Sequence, residues 1–335
     1  MLPARGALKK SDSAPLVTVG ISTHNRAEML VECIRSVLEQ DYSNLEIIVS
    51  DNASSDCTSS TVLGIGDSRI RYLRSERPLD RGCEVFQIPL SAARGVYYKP
   101  QADDDLMAPD CISKCVHLLE SQPEVVVVLL GTQEFGDRLR YRTPVVGCPT
   151  GILVGEHRHA VLPRIQAIPI GTNMYRRDVA IGVGGYANLG PGAWSADFDL
   201  LVRLIDAGGV GVLDSPLFWE RTHSGQERFR RRDRWKALAN WRTTMSWYVE
   251  QAPTSAVRRR SHVQLVRGWT ATWGQEAAYA TFAGRPAMLL SLCGSAMETR
   301  DVISLGQLGV AGALAAVRKG GGLVKRQFFG PPRER

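Results

Sequence analysis

Two apolar runs separated by an amphipathic stretch open the chain. Leu16-Val17-Thr18-Val19-Gly20-Ile21-Ser22 and Leu45-Glu46-Ile47-Ile48-Val49-Ser50 are β-rich and almost continuously apolar, the pattern of strands buried on both faces of a parallel sheet. Between them Leu30, Ile34, Val37 and Leu38 recur at helical spacing and predict one buried face. Asn25 with Glu28 three places on reads as the helix start, a looser relative of the capping box. Strand, helix and strand with short connections make a βαβ unit, right-handed in nearly every case. Further on, Ile70-Arg71-Tyr72-Leu73 predicts a third strand, Asp80-Arg81-Gly82 a turn, and Cys83 to Ala93 a helix broken or started near Pro89. Val96-Tyr97-Tyr98-Lys99 is a short extended run, Cys111 to Glu120 a helix, and Val125 to Leu130 a fully apolar strand. Arg138 to Val146 reads as an edge hairpin, while 147–167, rich in Gly, Pro and His, carries no readable element. A helix is expected over Leu200 to Ala207 and a strand at Val210-Gly211-Val212-Leu213. Helices are then expected over 233–250, 255–280, 286–298 and 302–318, before a basic tail.

In sheets of this kind ligands sit beyond the carboxyl ends of the strands. Thr23, Asp51 and Asp103-Asp104-Asp105 all fall at such ends, and that convergence points to a nucleotide pocket. Three consecutive carboxylates repel one another and resist burial. A divalent cation, Mn²⁺ or Mg²⁺, relieves them with hard oxygen ligation and in turn carries nucleotide phosphates. The competing account is a solvated acidic loop capping the next helix, opened by Pro109 and Asp110. Asp51 likewise suits either an acceptor for a base N–H or ribose hydroxyl, or a turn in Asp51-Asn52-Ala53-Ser54. Gly182-Val183-Gly184-Gly185 lacks a following GK[ST] or GxGxxG and reads as a flexible turn before it reads as a phosphate cradle. Asp197 and Asp199 precede the helix at Leu200; a cap or dipole role accounts for one of them better than for both.

Composition narrows the class. An apolar share of 44% and a charged share of 22% over 335 residues describe a soluble globular chain with room for one large domain and an appendage. The cysteines, Cys33, Cys57, Cys83, Cys111, Cys115, Cys148 and Cys293, contain no CxxC pair. Cys111 and Cys115 share a helical face, but His117 completes no zinc-site spacing, so the cysteines read as reduced, mostly structural thiols of a cytoplasmic protein. Met1 to Lys10 is basic with no apolar stretch behind it, unlike a signal peptide, and no apolar run reaches the roughly 18 residues of a membrane span. The net charge of +7 is uneven: residues 221–335 hold 20 Lys and Arg against 7 Asp and Glu, a balance of +13, and residues 1–220 balance to −6. An acidic front suits cation and catalytic chemistry; a basic back suits an anionic surface or acceptor. Arg228, Arg230, Arg231, Arg232 and Arg234, with Phe229, Trp235, Trp241, Trp247 and Tyr248 interleaved, raise nucleic acid as a partner, though a membrane-surface or acceptor-docking element fits such an appendage better. Ile303 to Val317 suits a lipid interface or, more simply, a helical bundle.

The segments Val17 to Arg26, Cys33-Ile34-Arg35-Ser36-Val37-Leu38-Glu39-Gln40 and Glu46 to Asp56 together resemble the opening of the family 2 glycosyltransferases of GT-A fold. Tyr97 through Asp110 resembles that family's acidic metal-binding segment, Asp197-Phe198-Asp199-Leu200-Leu201-Val202-Arg203-Leu204 its later acidic motif, and Arg221-Thr222-His223-Ser224-Gly225-Gln226 the loop that closes over the diphosphate. The resemblance covers about residues 15–226 and implies an α/β, Rossmann-like mixed sheet flanked by helices. A flexible N-terminus, 1–14, and a basic helical appendage, 227–335, would flank it. By position Thr23 and Asp51 would hold base and ribose, with Asn25, Arg26 and Asn52 among the donor contacts. Asp103 would lie by the ribose or sugar, and Asp105 would be a partner of the metal site or a sugar contact. Asp104 would be the metal carboxylate, with His223 at the metal or diphosphate, and Asp197 the general base. One departure stands out: many members have Asp-x-Asp where this chain has Ala102-Asp103-Asp104. The implied reaction is inverting, Mn²⁺- or Mg²⁺-dependent transfer of a sugar from a nucleotide-diphosphate donor, UDP the commonest. The acceptor would be a saccharide, lipid-linked or natural-product hydroxyl. A homodimer, a cytoplasmic location and peripheral contact with the inner face of a membrane through the basic helices complete the expectation. Two rivals remain: a nucleotidyltransferase, which would ordinarily carry a Gly-rich basic loop where Thr23-His24-Asn25-Arg26 stands, and a silent sugar-nucleotide-binding or membrane-docking protein.

Overall fold

The computed structural model describes residues 14–79, 83–137, 140–142, 150–155, 157–159, 161, 170–186 and 196–223. The turn at Asp80-Arg81-Gly82, the helices expected beyond 226 and the loop Ser224-Gly225-Gln226 lie outside the described residues.

The opening βαβ unit forms as expected. β1 (Val17–Thr23) and β2 (Leu45–Asp51) pair in parallel from Val17↔Leu45 to Thr23↔Asp51, and α1 (Ala27–Leu38) crosses between them. Asn25 does not cap α1: it takes a left-handed φ of 53°, and the Ala27 N–H is met from another loop by an Asp56 carboxylate oxygen at 3.3 Å. α2 (Thr58–Ile65), which no apolar pattern announces, follows β2 and ends on Gly66 at φ 70°. Only Thr58 and Val62 of α2 are buried, so it has no hydrophobic stripe to read. β3 (Ile70–Arg74) pairs with β2 in parallel, α3 (Cys83–Ala92) returns with Pro89 inside it, and β4 (Tyr97–Ala102) lies parallel to β1 on its other side.

Beyond β4 the sheet becomes mixed. β5 (Leu106–Met107) is followed by α4 (Cys111–Ser121) and β6 (Val125–Gly136). Of the hairpin expected over Arg138 to Val146, the described residues hold one strand, β7 (Arg140–Arg142), paired antiparallel with β6, and the unassigned 147–167 contains β8 (Gly151–Leu153). β9 (Asn173–Arg176) inserts antiparallel between β4 and β6 and was not legible in the sequence. α5 (Arg177–Gly182) and α6 (Ala196–Ala207) follow, and then β10 (Gly209–Thr222), one bulged strand where a short strand and a loop were expected. The order across the sheet is β3-β2-β1-β4-β9-β6-β10-β5, with β7 on β6 and β8 on β10.

The core follows from alternation along the strands. Val17, Val19 and Ile21 of β1 with Ile47 and Val49 of β2 face Leu30, Cys33, Ile34 and Val37 of α1 and the apolar stripe of α4. On the other face Tyr98 packs ring to ring with Tyr175, centroids 5.5 Å apart. Its hydroxyl occupies the space above Gly20, where a Cβ would come within 2.0 Å. The five described cysteines are free thiols, as expected. Among the described residues no helix is long and apolar enough to cross a membrane.

Candidate active site

Strand register alone gathers the first residues of the site. Thr23 and Asp51 are paired neighbours at the ends of β1 and β2, and Ser22 pairs with Ala102, so Asp103 leaves the sheet beside them. The two loops that follow are laced together: His24 Nδ1 lies 2.8 Å from the Asn52 carbonyl, the Asn25 N–H donates to Ser54 Oγ at 2.9 Å, and Asn25 Oδ1 accepts from the Ser55 N–H at 2.7 Å. Asn tolerates the left-handed backbone this requires.

A second register brings the distant end of the chain in. β5 pairs antiparallel with β10, Leu106 against Trp219, which sets the residues after Trp219 over the acidic turn. The Arg221 N–H donates to Asp105 Oδ1 at 2.8 Å, Arg221 Nε donates to the Asp104 carbonyl at 2.9 Å, and Arg221 Nη2 meets Glu32 at 2.5 Å. His223 Nε2 lies 3.1 Å from Asp104 Oδ2. Arg26 Nη1 reaches Asp103 Oδ1 at 2.8 Å and Asp104 Oδ2 at 3.1 Å. Asp103, Asp104 and Asp105 are all buried. Burial, and the neighbouring Asp104, push the Asp105 carboxyl well up. Burial also raises Asp103, against the opposing pull of Arg26. Thr23 is buried with no hydrogen bond of full geometry to its hydroxyl, which nonetheless lies near enough to Asp103 to draw its pKa down.

The acidic turn supplies few groups of its own to a divalent cation. No group of three or more His, Cys, Asp and Glu among the described residues forms a protein cage. What the cluster offers is the carboxylate of Asp104 beside the imidazole of His223. Mg²⁺ and Mn²⁺ are commonly held by one or two protein groups with phosphate and water completing the shell. Asp104 and His223 would hold such an ion.

Asp51 and Asn52 are more committed to the fold than their strand-end position implies. Asp51 is wholly buried: Oδ1 accepts the Ser54 N–H at 2.8 Å, and Oδ2 accepts the Tyr72 hydroxyl and lies 3.7 Å from Arg74 Nε. The turn role and the strand-end position therefore coexist. Asn52 clamps the loop after β3, donating to the Leu79 carbonyl at 3.3 Å and accepting the Leu79 N–H at 2.7 Å.

Asp197 and Asp199 lie inside the first turn of α6, not ahead of it. Asp199 is tied to Arg203, one turn on, whose guanidinium also meets the Val183 and Gly185 carbonyls. Asp197 lines a cavity of about 10 Å³, room for one water, with Asn173, Tyr175, Tyr186 and the leucines of α6. Part of the residue reaches solvent, yet burial of the carboxyl pushes its pKa up to about 6. A chain of contacts through α3 links the cavity wall to β1. Tyr186 donates its N–H to Gln87 Oε1 on α3 at 2.8 Å and stacks 5.6 Å from Phe86, and Val85 accepts the Ser22 hydroxyl at 2.9 Å. Tyr72, Arg74 and Gln87 carry no motif of their own. Only the long-range register brings them in.

A βαβαβ half with acidic groups at its strand ends, extended by antiparallel strands, is the GT-A architecture of nucleotide-sugar transferases. Among the solved structures that share the fold are two nucleotide-sugar complexes. Residues 1–349 of S. aureus TarS, in complex with UDP-GlcNAc, superpose with a TM-score of 0.61 at 12% identity, covering 85% of this chain and 92% of that one. The mannosyltransferase PcManGT of Pyrobaculum calidifontis, in complex with GDP-Man and Mn²⁺, gives a TM-score of 0.53 at 18% identity, covering 95% and 88%. At these identities the likeness is one of fold. The chain belongs to the glycosyl transferase family 2, whose model matches residues 18–183. A curated relative, an uncharacterized glycosyltransferase of Rickettsia felis, is 26% identical over 224 residues, 63% of this chain and 35% of that protein. The chain spans about a third of that relative's length and 43% of another's, in Escherichia coli.

Proposed function

We propose that the protein transfers a sugar from a nucleotide-diphosphate donor to an acceptor hydroxyl, with inversion at the anomeric carbon. The observation that carries this reading is the convergence of Thr23, Asp51 and Asp103–Asp105 at adjacent strand ends, with Arg221 of β10 and His223 just past its end folded onto the same acidic turn. A donor seated there would place its base and ribose toward Thr23 and Asp51 and its diphosphate toward Asp104, His223 and Arg26. Asp103 would lie toward the ribose or sugar, while Asp105, held by the Arg221 N–H, supports the turn. When bound, a divalent ion supplies charge for the leaving diphosphate. Asp197 takes the acceptor proton. A carboxyl raised to about 6 is ionised at neutral pH yet basic enough to accept a proton in the transition state, worth roughly 10²- to 10⁴-fold in rate. UDP-sugars are the first donors to try and GDP-sugars the second; Mn²⁺ precedes Mg²⁺ because an imidazole sits beside the carboxylate.

The test is donor turnover by the full chain with UDP- and GDP-sugars and Mn²⁺, with and without a saccharide or lipid-linked acceptor. Asp197→Asn is expected to keep donor affinity within about twofold and lose at least about 10²-fold in transfer. Near-normal turnover by that variant would remove Asp197 from the role.

A further inference from the structure

Contact with the donor does not account for how Arg26 is placed. A single guanidinium nitrogen, Nη1, spans two carboxylates, Asp103 Oδ1 at 2.8 Å and Asp104 Oδ2 at 3.1 Å. That Asp104 oxygen is also the one facing His223 Nε2, at 3.1 Å. A guanidinium therefore occupies the oxygen that a divalent ion would take. Two cations on one carboxylate oxygen repel strongly in a partly buried site, so they compete.

Three further features give the competition direction. Ala102 supplies no carboxylate, and the Asp104 oxygen that faces His223 is the one Arg26 already holds. Arg26 sits at the N-terminal edge of α1 on a loop pinned by Asn25, and its side chain keeps 24% of its surface exposed, which leaves it a way out toward solvent. The other arginine at the cluster, Arg221, is directed through Nε at the Asp104 carbonyl and through Nη2 at Glu32.

We propose that Arg26 is a resident counter-cation. It holds the acidic turn in place while no divalent ion is bound, and it must give up Asp104 Oδ2 when one arrives. The displaced guanidinium is then available to the donor diphosphate, which couples ion and donor binding. The inference rests on the reading that this site takes a divalent ion. Such coupling between two ligands of one site typically amounts to 5- to 150-fold in affinity.

The experiment is calorimetric titration of the full chain with Mn²⁺ alone, without nucleotide, for the wild type, Arg26→Gln and Arg26→Lys, with the melting temperature of each followed with and without Mn²⁺. Arg26→Gln is expected to bind Mn²⁺ about 10-fold tighter, to melt below the wild type without metal, and to gain more on Mn²⁺ addition. Arg26→Lys keeps the charge but not the two-carboxylate bridge, and its affinity is expected between the other two. An Arg26→Gln affinity equal to or weaker than the wild type overturns the proposal. If that variant folds in neither condition, the lysine variant decides: affinity no tighter than the wild type overturns the proposal equally. Absence of Mn²⁺ and Mg²⁺ binding by the wild type, even with UDP or GDP present, would instead sink the divalent-ion reading and the inference with it.

Discussion

A carboxylate at 0% exposure, as at Asp51, is stable only if each oxygen is matched, and the Ser54 N–H, the Tyr72 hydroxyl and the Arg74 guanidinium do this. Tyr72→Phe leaves one carboxylate oxygen short of its donor and is expected to cost about 1–3 kcal/mol in chemical denaturation. An unchanged midpoint would mean that water replaces the hydroxyl. Asp197 behaves in the opposite sense. Its carboxyl moves from an ordinary 3.8 up to about 6 in the folded chain, so the folded state binds the proton more tightly than the unfolded state does. Its contribution to stability is therefore greatest below 3.8 and falls as pH rises to about 6. Asp197→Asn should raise the melting temperature at pH 7 while abolishing transfer, and the wild-type transfer rate should decline as pH drops through about 6. A variant that melts lower at pH 7, or a rate flat across that range, would contradict this. At this scale the positions of Thr23, Asp51, Asp104 and His223 were legible, because each follows an apolar run or belongs to a motif. Their partners were not: Tyr72 and Arg74 meet Asp51 only through the β2–β3 register, in which Asp51 pairs with Arg74.

Among elements, legibility followed burial. β1, β2, β6 and α1 announce themselves because whole faces are apolar. β9, Asn173–Arg176, does not: four residues that include an arginine become a strand because β4 and β6 leave a slot for them. That strand and the short 3₁₀ turn before it, Ile170–Thr172, are held by Lys99, whose buried ammonium donates to the Gly171 carbonyl and, at 3.1 Å, to the Pro100 carbonyl. The Phe218 ring of β10 closes the space over Gly171, where a Cβ would come within 2.1 Å of it. Gly171→Ala must then push apart β10 and the turn before β9. The expected cost is about 1–3 kcal/mol, read as a lower denaturation midpoint. Because Phe218 anchors the strand that carries Arg221 and leads into His223, metal and donor affinity should fall in the same variant; full affinity with a lowered midpoint would show that the ends of β10 move independently of its middle.

Across the whole chain, charge is unevenly divided. Residues 1–220, at −6, contain nearly all of the described sheet and its acidic rim, while the +13 balance lies in 221–335, all but its first three residues outside the described part. The mixed architecture was foreseeable from the resemblance, because the opening βαβ and the acidic segment match a known order of elements. The mixed half was not legible from periodicity, since its pairings join distant stretches, Tyr97 with Arg176 in antiparallel and Gly209 with Val125 in parallel. That long-range half is what brings β10 back over the turn at Asp103–Asp105, so the proposed function depends on it. The central claim is that side chains from these separate segments form one cation-assisted donor site. The most direct measurement is calorimetric binding of UDP and GDP with and without Mn²⁺, comparing the wild type with Asp104→Ala. Mn²⁺ should strengthen nucleotide binding by about tenfold or more in the wild type and have no effect on the variant. Equal affinity with and without Mn²⁺ in the wild type, or a Mn²⁺ effect that survives loss of the Asp104 carboxylate, would contradict the account.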